Sequence, residues 1–355
     1  MNKVLLKDVA IEYKQTIKEK SEDISIVGLE HLEPENILLE NWDVGKENTF
    51  TKGFKKGHIL FGRRRAYLKK AALAQCEGVC SGDITVIEAK EDKIDPKLLP
   101  FIIQNQRLFD YAVKNSAGSL SPRVKWEHLQ NYEFMLPEMD RQKEISDILW
   151  SMENTKRSYE KMKNSLDDLI KSQFIEMLSS LEYEEKIIKE IVEYLPKSTL
   201  GASIGKEKGL YPFFTSSVEQ SKWCDEYLYN DKAIILGNGG TASVNYYDGK
   251  FSTTNHSFVI KSCNENTIDT KYIYYYLLFN IDILEKGFHG VGLKNISKDY
   301  INEIDIPCIN ITEQNRIIDI IELLDKSKFE IEQALENLKK AQKSLLDEIF
   351  SSDNL

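Results

Sequence analysis

Two stretches of the chain carry the same alternation of apolar and polar positions. Between Arg141 and Leu178, apolar or small residues recur at spacings of three and four: Ile145, Ile148, Met152, Thr155, Tyr159, Met162, Leu166 and Leu169. Between Glu313 and Phe350 the set is Ile317, Ile320, Leu324, Ser327, Ile331, Ala334, Leu338 and Ala341. That spacing keeps one stripe along an α-helix and forms a heptad seam, so two long helices are predicted. The stretches are also copies of one another. Setting Gln142 on Gln314, 172 positions later, aligns Ile145 with Ile317, Asp147 with Asp319, Lys156 with Lys328, Glu160 with Glu332, Leu166 with Leu338 and Glu176 with Glu348, without a gap. Thr155 and Ser327 put a small hydroxyl at the same seam position, which predicts that the two helices face one another. At a rise of about 1.5 Å per residue they would be rods on the order of 50 Å long, suited to act as spacers. Leu149, Ile170, Phe174, Met177, Ile321 and Ile349 widen the stripe, either to dock a partner or to cover the root of a globular unit.

The repeat extends to what precedes each helix. VLLKDVAIEY from Val4 returns as KIIKEIVEY from Lys186, GHILFG ending at Gly62 as AIILG ending at Gly237, SGDITVI ending at Ile87 as NHSFVI ending at Ile260, and IDPK at Ile94 as IDTK at Ile268. Short β-branched runs bounded by Gly, Pro and Asn predict strands at Ser25 to Leu32, His58 to Phe61 and Asp83 to Glu88. A helix is predicted from Ile94 to Val113, with Asp95 as N-cap and Pro96 at its first position, and its counterpart from Lys271 to Leu284. A glycine loop follows in each half, GSLSPRV and GVGLKNI, and then apolar pairs Leu129/Ile301, Tyr132/Ile304 and Phe134/Ile306. The expected fold class is therefore α+β: two globular mixed α/β domains joined by two long antiparallel coiled-coil helices, a pseudo-twofold internal repeat. The expected boundaries are 1–140 and 183–312 for the globular units, and 141–182 and 313–355 for the spacer helices.

Composition narrows the function classes. The 355 residues suffice for two or three domains, and 41% hydrophobic content supports ordinary cores. The five cysteines form no CxxC pair, so neither a disulfide framework nor a zinc site is signalled, and with no signal peptide or membrane-length apolar run a cytoplasmic protein is expected. The net charge of −10 excludes a uniformly basic coat. Its distribution is uneven: from Thr51 to Lys70 there are bases at Lys52, Lys55, Lys56, Arg63, Arg64, Arg65, Lys69 and Lys70 and no acid. A lone charge run is ordinarily a solvated face; a run this pure inside an acidic chain points to nucleic acid.

In the first unit the candidates for DNA contact are Arg63, Arg64, Arg65, Tyr67, Lys69 and Lys70, just after a predicted strand. Arginine's planar fork matches guanine O6 and N7, whereas lysine suits phosphate, so at least one of the three arginines is expected to read a base. The equivalent loop of the second unit, Asn238, Gly239, Gly240 and Thr241, is uncharged; its glycines can bring backbone to phosphate, and asparagine matches adenine, although a plain tight turn reads as well. Asn255 and His256 are weaker candidates, a lone histidine being more often a satisfied polar residue. The glycine loops add Ser119, Ser121 and Arg123 in one unit and His289, Lys294 and Asn295 in the other, with Arg123 and Lys294 placed to neutralise phosphate. The five histidines form no HExxH cluster, and neither a Walker motif, an Asn/Asp-Pro-Pro-aromatic motif nor a glycine-rich cofactor loop after a strand occurs, so no catalytic or metal-binding residue is expected.

The order head, helix, head, helix, with the helices alike and the heads diverged, resembles the specificity subunit of type I restriction-modification systems over nearly the whole chain. The basic segment from Gly62 to Ile84 is of a type often found in that family's heads, and Pro137 with Gln142 resembles its approach to the conserved helix. Pro307 precedes Gln314 by a longer interval, so that turn is expected to differ. The resemblance implies two target recognition domains reading the halves of a split double-stranded DNA sequence, with the helices setting the gap. It implies a non-catalytic subunit that directs two methyltransferase subunits, using S-adenosylmethionine, and restriction or translocase subunits, using ATP and Mg, with no cofactor in this chain. The alternative from the residues alone is an assembly scaffold whose coiled coil only dimerises, without sequence preference for DNA.

Overall fold

The computed structural model describes residues 1–19, 21–45 and 47–350. The chain divides into two units, one made of 1–161 and 332–355, the other of 162–331. Residues 351–355, the last of the expected second spacer helix, lie outside the described residues.

In the first unit Ile84–Ala89 is the central strand, and four of its six residues are fully buried. Such an unbroken buried run, polar only at Thr85, is what a strand covered on both faces shows. It pairs antiparallel with Ala10–Glu12 on one side and Ile59–Gly62 on the other, in the register Ile84 to Gly62 and Ile87 to Ile59, and Ala71–Leu73 extends the sheet. A second, five-stranded sheet contains Ser25–Val27, Lys52–Phe54 and Gly78–Cys80. Asn2–Leu5 pairs with Glu133–Leu136, the strand that leads into the first long helix. The second unit repeats this frame. Ser257–Ser262 lies between Val192–Tyr194 and Tyr229–Gly237, Val244–Thr253 follows, and Glu184–Ile187 pairs with Asp305–Cys308. The apolar pairs matched in sequence are all buried: Leu129 and Ile301, Tyr132 and Ile304, Phe134 and Ile306.

The long helices are Met139–Ser179 and Ile311–Phe350. Their antiparallel sense is visible inside each unit. In the first, Ile145 and Leu149 from the start of one helix share a core with Ile349 and Phe350 from the end of the other, and Lys339 lies 3.7 Å from Glu160. In the second, Ile170 and Phe174 share a core with Ile317 and Ile321, and Lys328 bonds Asp167. Leu149, Ile170, Phe174, Ile321 and Ile349 are thus buried at the roots of the heads rather than offered to a partner. Several expected seam positions, Ile148, Thr155, Met162 and Leu169, are exposed, because the buried stripe of the first helix steps through Gln142, Ile145, Ser146, Leu149 and Glu153, closer to the natural turn of a helix.

Three local expectations are corrected. The strand from Ser25 stops at Val27, because Gly28 opens a 3-10 turn at Leu29–His31. The helix expected over Ile94 to Val113 is two helices, Leu99–Ile103 and Gln106–Lys114; Asn105 caps the second by accepting from the Arg107 N–H at 2.9 Å, while Asp95 bonds the Lys97 N–H in the turn before. Its counterpart likewise breaks at Asn280, between Thr270–Phe279 and Ile281–Lys286, where the Asn280 amide donates to the Tyr276 carbonyl. The turn before Gln314 does not differ from that before Gln142. Gln142 donates to the Pro137 carbonyl at 2.8 Å and accepts from the Asp95 N–H at 2.9 Å; Gln314 donates to the Ile309 carbonyl at 2.8 Å and accepts from the Asp269 N–H at 2.8 Å. Ile309, not Pro307, is the counterpart of Pro137, since the carbonyl is the working group and proline is dispensable. No helix among the described residues is long and apolar enough to cross a membrane.

Candidate nucleic-acid interface

Each head builds one loop cluster at the end of the strand that closes with a glycine. In the first head the chain leaves Ile59–Gly62, and the antiparallel register sets Arg63 opposite Asp83, whose carbonyl accepts the Arg63 N–H at 2.9 Å. The glycine loop then closes the other side: the Val124 N–H donates to the Arg63 carbonyl at 3.0 Å, the Arg65 N–H to the Pro122 carbonyl at 2.8 Å, and Arg64 bridges Arg123. In the second head Asn238 donates to the His256 carbonyl at 3.0 Å, Ile296 to the Asn238 carbonyl at 3.1 Å and Gly240 to the Lys294 carbonyl at 2.9 Å, while Gly239 bridges Asn295. The backbone network is the same, position for position, and the side chains differ.

Both clusters need a left-handed residue at the corresponding place. Arg65 has φ 54° and Gly240 has φ 87°. An L-residue there is strained by about 1–2 kcal/mol, so an arginine held in that conformation is an outlier worth explaining by what it presents. The returning hairpins match as well: Ala117 and Arg123 exchange backbone hydrogen bonds of 3.0 and 2.9 Å, and His289 pairs with Asn295.

The first cluster is an arginine–carboxylate network. Arg123 donates from Nε to Asp83 Oδ1 at 2.7 Å and from Nη2 to Oδ2 at 3.2 Å. Arg64 donates from Nη1 to Asp83 Oδ2 at 3.5 Å and from Nη2 to Ser121 Oγ at 3.2 Å. The Arg123 fork holds the Asp83 carboxyl below the usual carboxylate range, with Arg64 and Arg63 adding to the effect against partial burial. Arg65 is exposed, and its side chain has no hydrogen-bond or ion-pair partner among the described residues. Arg63 Nε and Arg64 Nε are buried without a partner, as is Asn238 Oδ1 in the second cluster.

Of the remaining candidates, His256, His289 and Lys294 belong to the second cluster's backbone network, while the others vary in exposure and partners. Tyr67 and Ser119 are exposed, Lys69 lies 3.8 Å from Glu35, and the Lys70 ammonium donates to the Leu29 carbonyl at 2.7 Å. Lys52 is spent on Glu12 and the Ile84 carbonyl, so the basic run is not one surface patch. In the second head Thr241, His256, His289, Lys294 and Asn295 are exposed, and the Asn255 N–H bonds the Leu200 carbonyl. Sequence reasoning missed Asp83 as a site residue. The signal was available, since pairing Ile84 with Gly62 puts the next residue outward, an acid, opposite the arginines. No group of three or more potential metal ligands occurs among the described residues.

Comparison with known proteins follows the same division of the chain. A family described as the type I restriction modification DNA specificity domain matches residues 2–167 and again 181–340. The type I restriction enzyme EcoDI specificity subunit of Escherichia coli is 27% identical over 163 residues, 44% of this chain and 36% of that protein. The type I restriction enzyme MjaVIII specificity subunit of Methanocaldococcus jannaschii is 22% identical over 179 residues, 48% of this chain and 42% of that protein. The matched part is thus less than half the length of either relative. The crystal structure of a type I restriction-modification system S subunit from M. genitalium superposes with a TM-score of 0.66 over 99% of this chain and 96% of that one, at 16% identity, a likeness of fold.

Proposed function

Because the chain belongs to the family of the type I restriction modification DNA specificity domain, two copies of which it carries, we propose that it is a DNA sequence-specificity subunit. In this reading residues 1–140 and 183–312 are target recognition domains for the two halves of a split double-stranded sequence, and 141–182 and 313–355 are the helices that set the gap. The observation that supports it best is the duplicated loop cluster: one backbone network presenting Arg63, Arg64, Arg65 and Arg123 in one head and Asn238, Gly239, Gly240 and Asn295 in the other. A fixed frame with exchanged side chains is what reading two different half-sites requires. Tyr67, Lys69, Lys70, Ser119, Thr241, Asn255, His256, His289 and Lys294 are the other candidates for DNA contact in this reading.

The chain itself is non-catalytic in this proposal and directs others: two modification subunits that bind S-adenosylmethionine, and restriction subunits that use ATP and Mg. Aliphatic and aromatic side chains left exposed on the long helices, among them Ile148, Met162, Leu169, Leu323 and Phe329, offer these partners apolar contact. The test is methylation-sensitive sequencing of a host genome with and without this gene. Loss of methylation at one split motif is the expected result. A direct pull-down in which the purified assembly shows no preference among DNA sequences would favour a scaffold instead.

A further inference from the structure

Within the proposed DNA-reading role, the geometry points to Arg123 as the residue that reads a guanine in the half-site of the first head, with Asp83 as the positioning residue that aims it. Arginine recognises guanine by laying two parallel N–H donors on O6 and N7, which needs a fork fixed in its plane before DNA arrives. Asp83 supplies that fixation. Its two carboxylate oxygens take the Nε and Nη2 donors along one edge of the Arg123 guanidinium, at 2.7 and 3.2 Å. Among the described residues the end of the fork, with both N–H of Nη1 and the second of Nη2, stays open.

The backbone beneath is equally fixed. Arg123 is held by Ala117 across its hairpin and by the bridge to Arg64 on its other side. Asp83 is fixed in turn by the Ser81 hydroxyl, which accepts its N–H at 3.2 Å, and by the Arg63 N–H on its carbonyl. Arg64 spends donors on Asp83 and Ser121, so it braces the carboxylate more than it projects.

Asp83 also selects against the wrong contact. A carboxylate between two guanidinium groups cancels one of their charges and repels phosphate, whereas guanine's acceptors are neutral. The pair therefore favours base over backbone. The second head carries His256 at the place of Asp83 and Asn295 at that of Arg123, so this device belongs to the first half-site only.

The experiment uses the full chain and duplexes carrying its methylated motif, with 7-deazaguanine, which lacks the N7 acceptor, placed at each guanine of the half-site assigned to the first head. Wild-type protein is expected to lose about tenfold in affinity at one guanine, on the scale of a good bidentate pair. Arg123→Ala should bind more weakly and be indifferent to that replacement, and Arg123→Lys, with a single ammonium in place of the fork, should bind more weakly and respond less. Asp83→Asn should bind unrelated DNA more tightly, with a steeper salt dependence, while its preference for the guanine shrinks; Asp83→Glu should restore part of it. Melting temperatures of the variants separate misfolding from lost reading. An Arg123→Ala protein as sensitive to 7-deazaguanine as wild type overturns the assignment, and so does a wild type that responds at no guanine of that half-site. Wild-type protein with no preference for any split sequence would instead refute the DNA-reading role itself.

Discussion

Gln142 and Gln314 invite the most direct test of how each head is fastened to a long helix. Both are buried, at 2% and 0% exposure. Gln142→Ala strands the Asp95 N–H and the Pro137 carbonyl; Gln314→Ala strands the Asp269 N–H and the carbonyls of Thr267 and Ile309. Leaving a buried backbone group unsatisfied costs about 1–3 kcal/mol. Two such groups set each variant at roughly 2–6 kcal/mol, the third carbonyl freed in Gln314→Ala belonging to the exposed Thr267 and turning to water, before a few tenths returned by alanine's helix propensity. Losses of that size are a large part of the ~5–15 kcal/mol of a typical domain. Urea unfolding measures the total. Hydrogen exchange resolved by peptide locates it, with Gln142→Ala releasing amides around residues 93–97 and Gln314→Ala those around 265–271, each sparing the other site. If either variant unfolds within about 0.5 kcal/mol of wild type, the range of ordinary surface substitutions, these glutamines are not the fasteners.

His58 is buried with its Nδ1 accepting the Lys55 N–H at 3.2 Å, and burial pushes its pKa below 6.5 despite the pull of Glu88. The unfolded chain therefore takes up the proton first, and stability should fall as pH drops below 6.5; His58→Asn, which keeps an acceptor without a titrating ring, should fall less in urea melts from pH 7 to 5, and equal slopes would count against the reasoning. Gly240 faces open space and, at φ 87°, shares with Arg65 of the first head, at φ 54°, a positive φ. Gly240→Arg should steepen the log–log salt dependence of DNA binding by about 0.9, one phosphate's worth, at about 1–2 kcal/mol of strain; an unchanged slope would deny that this loop meets DNA. Phe350 is 3% exposed and packs edge-on against Phe134 with ring centres 6.4 Å apart. Phe350→Ala should cost about 3–5 kcal/mol, read by calorimetry, and an unaltered melting temperature would remove Phe350 from that core.

The duplicated frame was legible because its determinants are local: a strand closing on glycine, an apolar spacing, a glutamine at the same step of each helix. Side-chain roles were less so, because they depend on pairing across long separations. Lys52 read as one more charge of the basic run, and its ammonium is taken up by Glu12 and the Ile84 carbonyl, settled by strands far away in sequence. Asp83 read as the edge of a strand, and only the register with Gly62 makes it the hub of two arginines. The helix breaks at Asn105 and Asn280 were hidden for another reason. The apolar pattern continues across both, and the cap at Asn105 and the amide at Asn280 bond within a turn that periodicity does not sense.

Ile349 and Phe350 close a core whose other fully buried members lie before residue 162. A ribosome makes residues 162–331 in between, so the second unit has all its residues while the first still waits for 332 onward. Through that interval Phe134, Ile145 and Leu149 lack the side chains that later cover them, an apolar face open to chaperones or to another nascent chain. The head begun first is the one completed last, and a chain terminated and released after residue 331 would carry every residue of its second unit beside an uncapped first one.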